Sequence, residues 1–280
     1  MKLVRVDGIV LRAIPFSETS LVGSLLTRQL GRIGVIARGA RRPGCAAAAA
    51  FQSTNLVSCS VYMGERSGLR TISHLELEAT HESIPRSVEL FGLVGYAMEL
   101  VIFQAPEEEP APRVFRLLKG FLHAADGATL AEAEMALVAF EFRLQRALGW
   151  GLCTEVCARC GAVVTGATRL SPREGGTLCP ACDPQDACGE TLSSGDLSVL
   201  RAMLLEPFAR WRQNAVSGET VAALSRIARS VWQIHAPAPT RSSSLAFLAD
   251  VRSDGYGKSG TRSGENAGAK DFASRRPMTQ

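Results

Sequence analysis

Apolar and polar residues alternate with a period of two through roughly the first 80 residues, and with a helical period after that. In the run RIGVIAR, Ile33, Val35 and Ala37 alternate with Gly34, Ile36 and Arg38. Over 55–63 the residues Val57, Cys59, Val61 and Met63 share one face. After the turn-like GERSG, Leu69, Thr71, Ser73, Leu75 and Leu77 alternate with Arg70, Ile72, His74 and Glu76. With further strands near 3–13 and 20–27, the pattern predicts about five strands joined by short turns, the count of a small Greek-key barrel. That count fits an OB-fold and an SH3-like barrel equally. The alanine run 46–50 reads as a loop or helical turn between strands.

From Pro85 the spacing becomes helical: Leu90, Leu93, Ala97 and Leu100 form one stripe, which should stop before Pro106. The acidic, proline-rich PEEEPAP, including Glu107, Glu108 and Glu109, reads as a solvated surface connection. A short helix follows near 112–124. Thr129 with Glu132 forms a capping box for a helix whose face is Leu130, Ala133, Leu137, Phe140, Leu144 and Leu148, closed by Gly149. Helices resume near 195–212 and 218–235, the latter with Val221, Leu224, Ile227 or Ala228, and Val231 inward. Pro237 and Pro239 end it, before a last short helix at 241–250. From about 252 the chain is rich in Gly, Ser and Arg and nearly free of apolar residues, so it is expected to be a disordered basic tail. The expected organisation is a barrel (1–80), a helical domain in two parts (81–150 and 191–251), a cysteine module between them (151–190) and the tail (252–280). No internal repeat is seen.

Cysteine spacing changes this picture most. Cys157/Cys160 and Cys179/Cys182 are two Cys-x-x-Cys pairs, CARCG and GGTLCPAC, with 18 residues between them. This is the spacing of a four-thiolate zinc site, in which each tight loop offers two sulfurs to a tetrahedron. Four protein ligands leave no open coordination position, so the Zn2+ is expected to be structural. MKLVRVDGIV has no signal-peptide pattern and no apolar run reaches membrane-span length, which points to a reducing cytoplasm and against a disulfide framework or a membrane protein. Cys153 and Cys188 flank the pairs and are taken as spectators. Cys59, inside a strand run, reads as a core thiol.

Charge matters through its distribution. The formal net charge is only +4, yet between Arg28 and Arg42 there are five arginines and no acidic residue. Arg28, Arg32, Arg38, Arg41 and Arg42 crowd a strand and the loop leaving it, with Gly39 and Gly44 permitting close backbone approach. Such a cationic barrel edge can neutralise phosphates, although a solvated basic loop gives the same pattern. Aromatic candidates for base stacking are sparse (Phe16, Phe51 and Tyr62), which favours contact with the nucleic-acid backbone. No P-loop, dinucleotide fingerprint, nucleophile elbow or H-E-x-x-H is present. His74, His81, His123 and His235 are scattered, so no enzyme is expected.

The order of these parts, with GIVLRAIPFSETSLVGSLLT, GRIGVIARGARR, the helix containing GYAMEL, and the CARCG and GGTLCPAC strings, resembles the bacterial RecO recombination-mediator family over roughly residues 1–250. The resemblance implies an α+β multidomain fold: an N-terminal OB-fold β-barrel and a C-terminal helical domain with an inserted four-Cys zinc module. It implies DNA repair by binding single- and double-stranded DNA, annealing complementary strands and displacing single-strand-binding protein. It also implies RecR as partner, RecA loading as the indirect outcome, and a nucleoid-associated place in the cytoplasm. By matching position Arg38, Arg41 and Arg42 belong to the DNA-contacting surface, with Arg28 and Arg32 as neighbours. TRSSSLAF departs from the Lys-Ser context of the family's last helical segment, leaving Arg241 as the substitute. Two other readings use the same residues. One is a zinc-ribbon transcription or translation factor touching nucleic acid through Arg159, Arg169 and Arg173; the other is a nucleic-acid-processing enzyme with a site assembled from dispersed acids, which a magnesium-dependent nuclease assay would separate.

Overall fold

The structure, a computed structural model, describes residues 2–64, 68–183, 189–208, 210, 216–236 and 242–253. Cys188, Arg241, Pro237, Pro239 and the expected tail from 254 onward lie outside them. The first five strands are β1 (Lys2–Pro15), β2 (Leu21–Thr27), β3 (Gly31–Ala37), β4 (Leu56–Met63) and β5 (Arg70–Ala79), with a single helical turn α1 (Ala47–Ala50) between β3 and β4. They close into a barrel in the order β1-β2-β3-β5-β4, and β4 returns to β1. Every pairing is antiparallel except β3 with β5. This is the OB-fold arrangement, which the strand count left open.

Alternation does the folding. Ile33, Val35 and Ala37 point into the barrel with Val6, Val10, Leu25, Val57 and Val61, and Phe51, fully buried, plugs it from below. The expected alternation fails at the start of β5, where Ile72 is buried while Leu69, just before the strand, is exposed. A bulge opposite Ser60/Val61 inserts one residue there, so Leu75 faces Cys59 inward and, past the bulge, Ile72 faces Val61.

The helical part comprises α2 (Val88–Gln104), α3 (Pro112–Ala125), α4 (Leu130–Ala147), α5 (Ser194–Leu205), α6 (Gly218–His235) and α7 (Ser243–Ser253). The Thr129/Glu132 capping box starts α4. Helix α5 stops at Leu205, short of the expected 212, because Pro207 disfavours helical geometry in the residue before it. Helices α2, α4 and α6 meet around a buried carboxyl: Tyr96 Oη and Trp232 Nε1 both donate to Glu141 Oε1, at 2.9 and 3.1 Å. Burial pushes the Glu141 pKa up to about 7, against the pull of those two donors. Barrel and helices share one core, since Ile9, Leu11, Leu26 and Leu56 pack into the same apolar cluster as the helices. Among the described residues no helix is long and apolar enough to cross a membrane.

A second device fastens the two parts. The connection after α2 is exposed, as expected of a surface connection, but it also pairs with the barrel and works as a strap across it. Arg32 N donates to Pro106 O, Glu108 N donates to Arg32 O, and the Glu107 and Glu108 carboxylates pair with Arg32 (2.7 Å) and Arg70 (2.8 Å). Gly31 makes room for it: at φ +70°, a Cβ there would lie 1.9 Å from the Glu109 carbonyl oxygen. Two acidic residues adjacent to a proline look unpaired in sequence, because the cations that answer them lie in distant strands.

Between α4 and α5 the chain folds into a small module with a three-stranded sheet, β6 (Thr168–Ser171), β7 (Gly176–Leu178) and β8 (Glu190–Leu192), in the order β7-β6-β8.

Candidate nucleic-acid interface and metal centre

The four cysteines of the two pairs converge. The sulfurs of Cys157, Cys160, Cys179 and Cys182 all lie within 4.8 Å of one another. Cys160 and Cys179 Sγ are 3.7 Å apart, close to the roughly 3.8 Å edge of a tetrahedron with metal–sulfur bonds of about 2.3 Å. The knuckles are preset by backbone turns, Gly161 N to Cys157 O and Cys182 N to Cys179 O, both 2.9 Å. Backbone amides, that of Cys179 foremost, aim at the Cys157 sulfur and draw its pKa down to about 6. Side-chain hydrogen bonds with Cys160 and Cys179 push Cys182 up to about 12, so the clustered sulfurs hold protons in common that a metal ion would displace. The donor set therefore fits a thiophilic metal ion. Cys153 stands apart, its thiol directed at Val156 O. The module's small core of Cys157, Val164 and Leu178 packs on Leu197 of α5, so the cluster is anchored to the helical part. Cys59 is buried in the barrel, which pushes its thiol pKa up to about 12, the state of an inert core residue.

The five arginines of the 28–42 segment separate into three places. Arg38, Arg41 and Arg42 are exposed on the loop between β3 and α1. That loop is held from within, because Ala40 is buried in the barrel core, and from without by two successive turns, Arg42 N to Gly39 O and Cys45 N to Arg42 O. Arg41 ties it to the β1–β2 loop through its backbone N–H to Thr19 O and its guanidinium to Ser17 O, each 2.9 Å. None of the three arginines pairs with a carboxylate among the described residues, Glu18 of the neighbouring loop included. Phe16, 64% exposed, stands on that same loop, whereas Phe51 is core. Phe16 was one of three equal candidates in sequence, and only the barrel's inside–outside division separates it from Phe51.

Arg32 is a different kind of residue. Its side chain is only 20% exposed and its charge is answered by Glu107 in the strap, so it braces the seam between the two parts. Arg28 is exposed at the β2–β3 turn. The length of β3 separates it from the loop trio, about 20 Å for seven strand residues. Arg70, which the sequence did not single out, is the second brace.

The basic residues around the cysteine knuckles are spoken for. Arg159 pairs with Glu174 at 2.7 Å, and that carboxylate holds the Arg159 pKa above its ordinary value. Arg169 pairs with Asp183 at 2.6 Å and donates to Gly189 O. Arg201 and Arg226 tie the module to α5 and α6, through Thr154 O and Glu190 respectively. Of the three arginines on which the zinc-ribbon reading rests, Arg173 alone forms no ion pair among the described residues.

Comparison with known proteins adds the following. Family models described as Recombination protein O N terminal and Recombination protein O C terminal match residues 1–81 and 86–244. A DNA repair protein RecO from Symbiobacterium thermophilum is 33% identical over 256 residues, covering 90% of this chain and 99% of that one. The protein of the same name from Roseiflexus sp. is 31% identical over 252 residues, 90% of this chain and 87% of its own. That from Pelotomaculum thermopropionicum is 32% identical over 210 residues, 75% and 80% of the two chains.

Proposed function

The chain belongs to the recombination protein O family, and from that premise we propose that it is a non-enzymatic recombination mediator in DNA repair. On this reading it binds DNA through the Arg38/Arg41/Arg42 loop of its barrel and anneals complementary strands. With RecR it helps to load RecA onto single strands coated by single-strand-binding protein. The observation that carries the reading is the loop itself: three exposed guanidiniums without carboxylate partners among the described residues, held by backbone turns beside an exposed Phe16.

The physical logic is electrostatic. Complementary strands repel through their phosphates, and a cationic surface that neutralises both backbones lowers that repulsion. Backbone contacts fix position without reading bases, so the base edges stay free to pair. A single aromatic ring can stack one base without enforcing a sequence. The four-thiolate cluster would hold Zn2+, whose role is to fix the module against α5. No catalytic step is assigned to any residue.

The test is the salt dependence of binding to single-stranded DNA. Replacing Arg38, Arg41 and Arg42 together with Ala should weaken binding to all sequences alike and reduce the slope of log affinity against log salt by roughly 2, given about 0.7 per phosphate contact on single strands. An unchanged slope rules the loop out. The zinc-ribbon alternative receives less support, because Arg159 and Arg169 are already neutralised by Glu174 and Asp183.

A further inference from the structure

Helix α3 carries a second cationic surface. Its buried side is Val114, Phe115, Leu118, Phe121 and Leu122. Its outer side shows Arg113, Arg116, Lys119 and His123, all exposed. Spaced mostly three residues apart, these line one side of the helix over about 15 Å. Among the described residues none of Arg113, Arg116 and Lys119 pairs with a carboxylate. Beside the stripe lies a cleft of about 540 Å³, whose wall is Arg143 and Phe208 and whose lining among the described residues contains no acidic side chain. The Arg143 guanidinium sits 4.5 Å over the Phe208 ring and donates to the Met203 and Glu206 carbonyls, with the Glu206 carboxylate acting on it from outside that lining. Arg28 joins this surface and not the loop trio. The strap lays Glu109 against Gly31, and α3 begins three residues later, beside the turn that carries Arg28.

We propose that this outer face of α3, with Arg28 at its end, is a second binding surface for the DNA backbone, which takes one strand while the Arg38/Arg41/Arg42 loop takes the other. This rests on the reading of the loop given above and deepens it by placing the partner strand. Two features favour two surfaces over one continuous track. They lie at opposite ends of β3, about 20 Å apart. Between them runs the strap with Glu107, Glu108 and Glu109, Glu107 being 68% exposed in its side chain, and a single strand crossing there would meet carboxylates. The chemistry selects a polyanion: Arg113, Arg116 and Lys119, a row of about 9 Å that pairs with no carboxylate among the described residues, fits successive phosphates.

The experiment uses the full chain with short oligo-dT, which cannot self-pair, and counts strands bound per chain at low salt by native mass spectrometry. The wild-type chain is expected to take two. The variant Arg113→Gln/Arg116→Gln/Lys119→Gln is expected to take one, with first-strand affinity within about twofold of wild type and annealing of complementary oligonucleotides slowed by about tenfold or more. These are exposed positions, and an unchanged melting temperature verifies that the variant folds. A variant that still takes two strands, or anneals at the wild-type rate, overturns the proposal. So does a wild-type chain that takes a single strand whose affinity falls in both variants, the signature of one continuous track. Failure of the loop reading is seen separately, as an Arg38→Ala/Arg41→Ala/Arg42→Ala chain that keeps its affinity and salt slope.

Discussion

The β3–α1 loop and the cysteine module are both rich in arginine, and in the folded chain they use it in opposite ways. On the loop, Arg38, Arg41 and Arg42 face solvent without counter-ions among the described residues, and the fixing is done by neutral groups: buried Ala40, two backbone turns and the carbonyls of the next loop. In the module, Arg159 and Arg169 are consumed by Glu174 and Asp183, and Arg201 of α5 and Arg226 of α6 are consumed in holding it, by the Thr154 carbonyl and by Glu190. A guanidinium whose donors are already satisfied gains little from a phosphate, because it must first give up its carboxylate. Where the nearest acids fold to therefore separates an arginine that grips from one that braces. Arginine density alone does not.

Removing the brace at its strongest point should give the largest effect. Cys157→Ser takes one ligand from the cluster, and structural thiolate sites contribute folding free energy directly, so a loss of several kcal/mol is expected. Metal content and thermal melting check it. Retained zinc with unchanged melting would remove the cluster from the architecture and blur the contrast.

A pH series sharpens the comparison, since guanidiniums do not titrate between pH 4.5 and 8 but the helical frame does. Glu141 has a folded pKa of about 7 against 4.5 for an open carboxyl, so the folded state favours its protonated form. The stability this adds is complete below about pH 4.5 and is lost as the pH rises through 7. Glu141→Gln should therefore be the more stable chain at pH 8, by on the order of 3 kcal/mol, and the gap should close toward pH 4.5. Melting of both chains across that range tests this, and a constant gap would show that the buried carboxyl is not the titrating group. DNA affinity of the loop, measured where both chains are folded, should differ little between them.

The smallest effect should come from the module's ion pairs. Arg169→Gln breaks the bond to Asp183 and is expected to cost about 1 kcal/mol, as for partly exposed pairs, while leaving the salt slope of DNA binding where it was. A fall in that slope would mean that the module touches DNA after all.

Much of this was legible beforehand. The period-two runs gave the barrel strands, the Thr129/Glu132 pair gave the start of α4, and the cysteine spacing brought four sulfurs into one place. These signals are local: a face, a cap or a knuckle is written within a few residues of itself. The parts that had to be seen are those decided by distant partners. Arg32 reads like Arg38 until Glu107 is placed beside it. The PEEEPAP run is as solvent-facing as it reads, but its pairing with Arg32 and Arg70 is set by strands far away in the chain. The change of face at the start of β5 follows from one bulge, invisible without the facing strand.

The wall shared by barrel and helices has a practical consequence. Ile9, Leu11, Leu26 and Leu56 belong to strands yet are sealed only by helical side chains. Cutting after residue 80 would therefore leave a wet, greasy flank on the strand-built half, along with the Arg32 and Arg70 charges stripped of their acids. Such a fragment is a poor stand-in for the intact chain.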